Sequence, residues 1–306
     1  MLIQVANVDR FFTRFAIKEL ARGLLKTPLE TPSLALSKNT NDSVSEKNKR
    51  LQRNAERAVG LLRVDQTNLK IIRNGLMELS YVNPQSRETW SHSIEVALVL
   101  SSIADEYKFD PKKAFIVGLL HDVGKKDIGD ITFGANGDQR EKFKLRDEIT
   151  SNGPGDNPLK IAELKTHPEN SFRFLIKNNL KEEAVICLLH HTFQTDPYPS
   201  KEKIRELTRD LPYDPESEGI IKFAKLLSVV DFFSARFRND LRNCRQGFSP
   251  KDVLGCFFDC RGDDPALLEM VRVVINSGAF TKEFASAALD QIYQRFSLSL
   301  PKVENF

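Results

Sequence analysis

Apolar residues recur at helical spacing along most of the chain, and nowhere do they alternate as a half-buried strand requires. The first such stretch predicts a helix over 8–26, where Asp9, Arg10, Arg14 and Lys18 break up the apolar residues of MLIQVANVDRFFTRFAIKEL. Charges placed in that way describe an amphipathic helix packed on the protein, or else one lying on a membrane surface. They do not describe a signal peptide, which puts its positive charge first and an unbroken apolar core after it. From Thr27 to Lys49 neither hydrophobic period persists, and this polar, Pro- and Ser-containing stretch reads as a linker or mobile loop. A charged helix from Asn54 to Leu79 then leads onward. The expected organisation is a helical N-terminal region, 1–80, with a polar linker at about 27–53, and a main domain at 81–306.

In the main domain Thr89 to Tyr107 has helical spacing, and Asp110-Pro111 is a start signal, an N-cap followed by Pro at the first helical position. The helix that follows, KKAFIVGLLHDVGK, is apolar nearly all round and is expected to be buried. Residues 129–158 hold five glycines, two prolines and many charges, which suits a functional lid or a disordered excursion better than an ordinary connection. Helices resume at Pro168–Asn178 and Lys181–Leu189, a Pro-rich connection over 195–218 holds a short charged helix, and Gly219–Phe237 is an apolar helix interrupted by one aspartate. The tail, 264–297, reads as two amphipathic helices. The fold class is therefore all-α.

Composition narrows the function. Hydrophobic content of 41% and charged content of 28% are those of a folded globular protein. The formal charge of +3 gives no strong nucleic-acid signal, although a local cluster can still hold one anionic ligand. No run approaches the roughly 18 apolar residues of a membrane span. Four cysteines without a CxxC pair, and no export signal, point to the cytoplasm. Cys187, inside EEAVICLLH, reads as a small buried hydrophobe; Cys256 and Cys260 can share a helix face but make a poor zinc site alone.

The candidate chemistry lies in the histidines. There are five, His92, His121, His167, His190 and His191, each on or at the end of a predicted helix. Imidazole offers a neutral nitrogen donor near neutral pH. His121-Asp122 closes the apolar helix IVGLLHD and puts a nitrogen and a carboxylate ligand side by side. Asp231 stands alone in KFAKLLSVVDFFSA, and a buried carboxylate requires a partner or a metal. The His190-His191 doublet ends a helix, and His167-Pro168 opens one, so His167 can point back toward a shared centre.

In this order the set resembles the HD-domain phosphohydrolase superfamily over roughly residues 85–245, with His92, His121, Asp122 and Asp231 at the signature positions and three histidines between. Within it the chain looks closest to the HD-GYP branch: HDVGK matches His-Asp-x-Gly-Lys, HPENSFRFL resembles the His-Pro helix start, and the HH doublet is in place. The resemblance implies an HD-domain helical bundle. Glu88, one helical turn before His92, corresponds to a glutamate that completes a third metal site in some members. Three departures stand out. Thr192 replaces an acid after the doublet, Pro197-Tyr198-Pro199 stands where Gly-Tyr-Pro would be, and Ser234 occupies a place where a second aspartate is common.

The resemblance further implies two or three divalent metals, iron or manganese by the mixed imidazole and carboxylate set, with magnesium as an option. A metal-bridged hydroxide would attack the phosphorus. Asp122 would be ligand or proton partner, and Lys125 would bind phosphate or assist the leaving oxygen. Arg236, Arg238 and Arg242, in a run that continues to Arg245, stand where the family places phosphate-binding cations. The implied function is phosphodiester hydrolysis of a nucleotide, foremost a cyclic dinucleotide such as cyclic di-GMP in signalling. The alternatives are a catalytically silent nucleotide- or metal-binding regulator or scaffold, and a nucleotidase or alarmone hydrolase of another HD branch. The N-terminal region is a candidate surface for a homodimer or protein partner.

Overall fold

A computed structural model of the chain describes residues 13, 15–21, 40–81, 84–128, 162–236, 250–261, 264–280, 285–290 and 292. All of its regular elements are helices: α1 (Thr40–Leu61), α2 (Gln66–Tyr81), α3 (Pro84–Ile103), α4 (Pro111–Leu120), α5 (His167–Lys177), α6 (Lys181–Leu189), α7 (Lys201–Thr208), α8 (Glu218–Arg236), α9 (Pro250–Arg261) and α10 (Pro265–Ile275). Short 3-10 turns follow α3 (Ala104–Tyr107) and α4 (Val123–Asp127). Among the described residues there is no β-strand, and no helix is long and apolar enough to cross a membrane.

The centre of the bundle is built by helices that are apolar all round. Every residue of α3 from His92 to Ile103 is buried, as is every residue of α4 from Ala114 onward and of α6 from Ala184 onward. Such helices gain their stability from packing on all sides rather than from one stripe. Helix α3 packs on α4, α8, α2 and α1, α6 packs on α5 and α8, and α10 covers α8. Helices α3 and α4 approach closely. A Cβ added at Gly118 would lie 2.4 Å from the Cα of Ala97, so the two backbones meet where only hydrogen fits.

The helix starts carry the expected chemistry. Asp110 accepts from the Lys112 amide at 2.9 Å with Pro111 at the first helical position, and Asp264 repeats the arrangement on the Ala266 amide at 2.9 Å ahead of Pro265. Ser200 caps α7 through the Lys203 amide at 3.2 Å. Helix α3 tightens into a 3-10 turn at Ala104 and is stopped by Lys108 in the left-handed region at φ 61°.

Three expectations are corrected. The stretch read as linker over 27–53 is helical from Thr40, because SEKNKRLQRNAER is rich in helix formers even where it is poor in apolar residues. Its described buried positions, Leu51 and Ala58, with Ala55 packed beside them and Leu62 just past its end, follow the helical period. The single helix expected over 54–79 is broken at 62–65, where Arg63 has φ 49°. Helix α9 was not expected. The N-terminal helix is described over 15–21, where it packs through buried Ile17, Leu20 and Ala21, with the Asn54 amide donating to the Leu20 carbonyl at 3.0 Å. Residues 129–158 lie outside the described residues.

The crossing of α3 and α4 gives a direct test. Gly118→Ala forces a methyl into the Ala97 backbone and is expected to destabilise the protein by about 2 kcal/mol or more, as overpacking does. Chemical denaturation would measure it, and a loss below about 0.5 kcal/mol would contradict the packing described.

Candidate metal centre

The buried histidines and aspartates of this core gather at one place. His92, His121, Asp122, His167 and His190 are all at most 1% exposed, and Asp231 is 8% exposed. They come from the middle of α3, the end of α4, the start of α5, the end of α6 and the middle of α8. Polar groups in such surroundings are costly unless each finds a partner.

The histidines are aimed by backbone carbonyls. His121 and His190 are the C-cap residues of α4 and α6, where the last carbonyls of a helix lack intrahelical partners. Each ring donates its Nδ1 hydrogen three residues back, His121 to Gly118 at 2.8 Å and His190 to Cys187 at 2.5 Å. His167 does the same to Leu164 at 2.7 Å. With Nδ1 committed, Nε2 keeps its lone pair and faces inward, the way metal-binding imidazoles are fixed. His92 is held differently. Its Nδ1 lies 2.9 Å from the Ser234 hydroxyl, which donates onward to Glu95 Oε2 at 3.1 Å, so the ring presents Nε2 to Asp231 Oδ1 at 2.8 Å.

Two groups of donor atoms result. One is His92, His121, Asp122 and Asp231, and the other is His167, His190 and His191, with all donors in each group within 4.8 Å of one another. Asp122 joins them. Its Oδ2 lies 3.5 Å from His121 Nε2 and 3.8 Å from His92 Nε2, while its Oδ1 lies 3.3 Å from His167 Nε2. Asp231 Oδ1 lies 3.5 Å from His121 Nε2. Ligands about 2.1 Å from one ion stand roughly 3.0–3.4 Å apart, so these separations approximate the edges of a coordination shell. His121 Nε2, His190 Nε2 and Asp122 Oδ1 are buried without a hydrogen-bond partner, which is the state of donor atoms that fit a cation. In the second group His191 Nε2 lies 3.1 Å from His167 Nε2, the Gln194 side chain contacts His191 Nδ1, and Tyr198 stacks on the His191 ring at 4.7 Å.

Charge follows geometry. Burial would raise the carboxyl of Asp122, but Lys125, His121 and His167 outweigh it and hold it well below the usual carboxylate range. Burial acts the same way on Asp231, and His121 and His92 beside it overcome it. Burial alone would lower His121, whereas Asp122 and Asp231 reverse the sign and raise it. Burial, helped by Lys125, takes His167 down to about 3, and burial with His121 takes His190 down to about 4. Both are neutral donors at neutral pH.

The HDVGK segment is pinned from behind. The Gly124 amide donates to Ser171 Oγ at 2.9 Å, and that hydroxyl donates to the His121 carbonyl at 2.7 Å. A Cβ at Gly124 would lie 2.3 Å from the His167 carbonyl oxygen and 2.4 Å from the Ser171 amide nitrogen, so the turn after Asp122 lies directly on the start of α5. Lys125 reaches back to Asp122 Oδ2 from the same turn.

All five histidines, Asp122, Asp231 and Lys125 therefore meet at one centre. Ser234, a departure from the family pattern, supports His92. The side chains of Glu88 and Arg236, together with Arg238, Arg242 and Arg245, lie outside the described residues. The sequence reading missed Glu95, Ser171 and Gln194. Glu95 had a signal, as a lone carboxylate three residues after His92 in the apolar run HSIEVALVL. Ser171 and Gln194 had none beyond their polarity.

Comparison with known families agrees with this geometry. Residues 89–235 match the HD domain family, and residues 40–129 match the HDOD domain family. No curated protein and no solved structure matches the chain. Residues 89–235 thus carry an HD domain, which supports the HD-domain superfamily for this part of the chain. An HD domain points to metal-dependent phosphohydrolase chemistry, and the two donor groups are able to hold the ions it requires.

The depressed histidines set a pH window in the metal-free protein. Their folded values lie below the ordinary 6.5, so the unfolded chain binds protons that the folded one refuses. Their contribution is complete above pH 6.5 and is lost as pH falls through about 4 and then about 3. Thermal melts of metal-free protein should therefore show stability declining from pH 6.5 to 4, with a shallower decline in His190→Asn. Equal slopes in the two proteins would contradict the assignment.

Proposed function

We propose that the centre hydrolyses a phosphodiester of a nucleotide, with a cyclic dinucleotide such as cyclic di-GMP favoured by the HD-GYP-like set of HDVGK, the His-Pro helix start and the HH doublet. The observation that carries the reading is the placement of the two oxygens of Asp122 toward separate groups of imidazoles. His92, His121, Asp122 and Asp231 would hold one divalent ion, and His167, His190 and His191, with the other oxygen of Asp122, a second. Iron or manganese suits this mixed donor set, and magnesium is the harder alternative. When bound, such ions supply Lewis acidity and bring the pKa of a coordinated water toward about 7.

The chain's own residues do the rest. Asp122 would keep both groups in register, and its lowered pKa keeps it a carboxylate across the neutral range. The partnered Nδ1 atoms of His121, His167 and His190 fix ring orientation, so the donor set needs little rearrangement. Lys125, half-buried beside Asp122, would donate to a phosphate oxygen and offset its charge, or assist the leaving oxygen. Glu88 is retained as a candidate for a third ion, and Arg236, Arg238 and Arg242 as phosphate-binding candidates, on the resemblance alone.

A silent regulatory or scaffold role is the second reading. The altered loop after the doublet favours it. The support that Ser234 gives to His92 weighs against it.

Anaerobically purified protein, assayed for bound metal and against a panel of cyclic dinucleotides and a generic phosphodiester, tests the reading. The expected result is about two ions per chain and turnover that falls at least 100-fold in Asp122→Ala. Bound metal without turnover on any substrate would favour the silent reading, and absence of metal would overturn the hydrolase.

A further inference from the structure

Arg261, the last residue of α9, is only 8% exposed. Its guanidinium lies over the rings of Phe232 and Phe257, at 5.5 and 5.8 Å, and Nη1 donates to Ser228 Oγ at 2.7 Å. No carboxylate of the described residues lies within ion-pair distance, and the Nε hydrogen has no partner. A buried cation in that condition is costly, and a guanidinium keeps its proton.

Its position ties it to the metal centre from two sides. Ser228 lies one helical turn before Asp231 on α8, and Phe232 follows Asp231 directly. On the other side, the Thr195 amide donates to the carbonyl of Cys260 at 2.8 Å, fastening the end of α9 to the loop that carries Tyr198 onto the His191 ring.

We propose that Arg261 binds an anionic oxygen of a substrate phosphate beside the His167, His190 and His191 group. The inference deepens the phosphoester reading and rests on it. Arginine suits the role because its fork offers further donors once Nη1 is committed to Ser228, and the aromatic rings hold its plane fixed. Lys125 and Arg261 then approach the centre from different elements, Lys125 beside Asp122 and Arg261 beside Phe232, the residue after Asp231. A phosphodiester whose two non-bridging oxygens face different cations is held in one orientation for attack.

The test is calorimetric titration of the metal-loaded full chain with inorganic phosphate, beside Arg261→Gln and Arg261→Lys, with bound metal measured in each. The expected result is affinity weakened roughly tenfold or more in Arg261→Gln, and less in Arg261→Lys, at unchanged metal content. Binding within twofold of wild type in Arg261→Gln would overturn the proposal, as would failure of the wild type to bind phosphate. Should Arg261→Gln not fold, equal binding by Arg261→Lys and wild type would overturn it. Hydrolysis of bis(p-nitrophenyl) phosphate in parallel separates the two readings. Arg261-dependent phosphate binding without turnover contradicts the hydrolase alone, and turnover with Arg261-independent binding contradicts only the role given to Arg261.

Discussion

A carboxylate at 1% exposure in an all-helical core is the constraint around which this molecule is arranged. Asp122 would be pushed toward its neutral form by burial, and it is kept ionised by what surrounds it. Lys125 reaches it from the same turn, and His121, His92 and His167 approach its two oxygens from three helices. Take the charge away and several buried imidazole nitrogens face one another with nothing between them. Retain it, and the donor atoms on either side are placed where they could hold a cation.

The helix ends make this arrangement possible. An imidazole needs one nitrogen committed and the other exposed to the ion, and a helix C-terminus supplies carbonyls that want a donor. His121 and His190 use that opportunity in the same way on α4 and α6. His92 sits inside α3, where no free carbonyl exists, and Ser234 and Glu95 take over the task. Gly124 and Ser171 then fasten the HD turn to the helix that starts with His167, so that the two donor groups keep a fixed distance. Positioning and packing are thus carried by the same residues.

Much of this was legible in the sequence. Histidines at predicted helix ends, an aspartate alone in an apolar helix, and a Pro after His167 each carry a local signature, and the resemblance gave them a common order. The buried helices were legible because their apolar runs leave no polar face. Other features were not. Helix α1 begins among polar residues, where hydrophobic period has nothing to report, and α9 lies in a stretch read only for its cysteines. The partners of His92 and the place of Arg261 depend on contacts between helices far apart in the chain, which spacing along the sequence does not encode. The residues around Arg238 and Arg242 remain expectations from resemblance.

The central claim is that Asp122 joins two ions in one centre. Manganese(II) titrated into the metal-free chain, followed by electron paramagnetic resonance, tests it directly. Two equivalents bound with an exchange-coupled spectrum, lost in Asp122→Ala, is the result the account predicts. Binding of isolated, uncoupled manganese, or a coupled spectrum that survives Asp122→Ala, would contradict it.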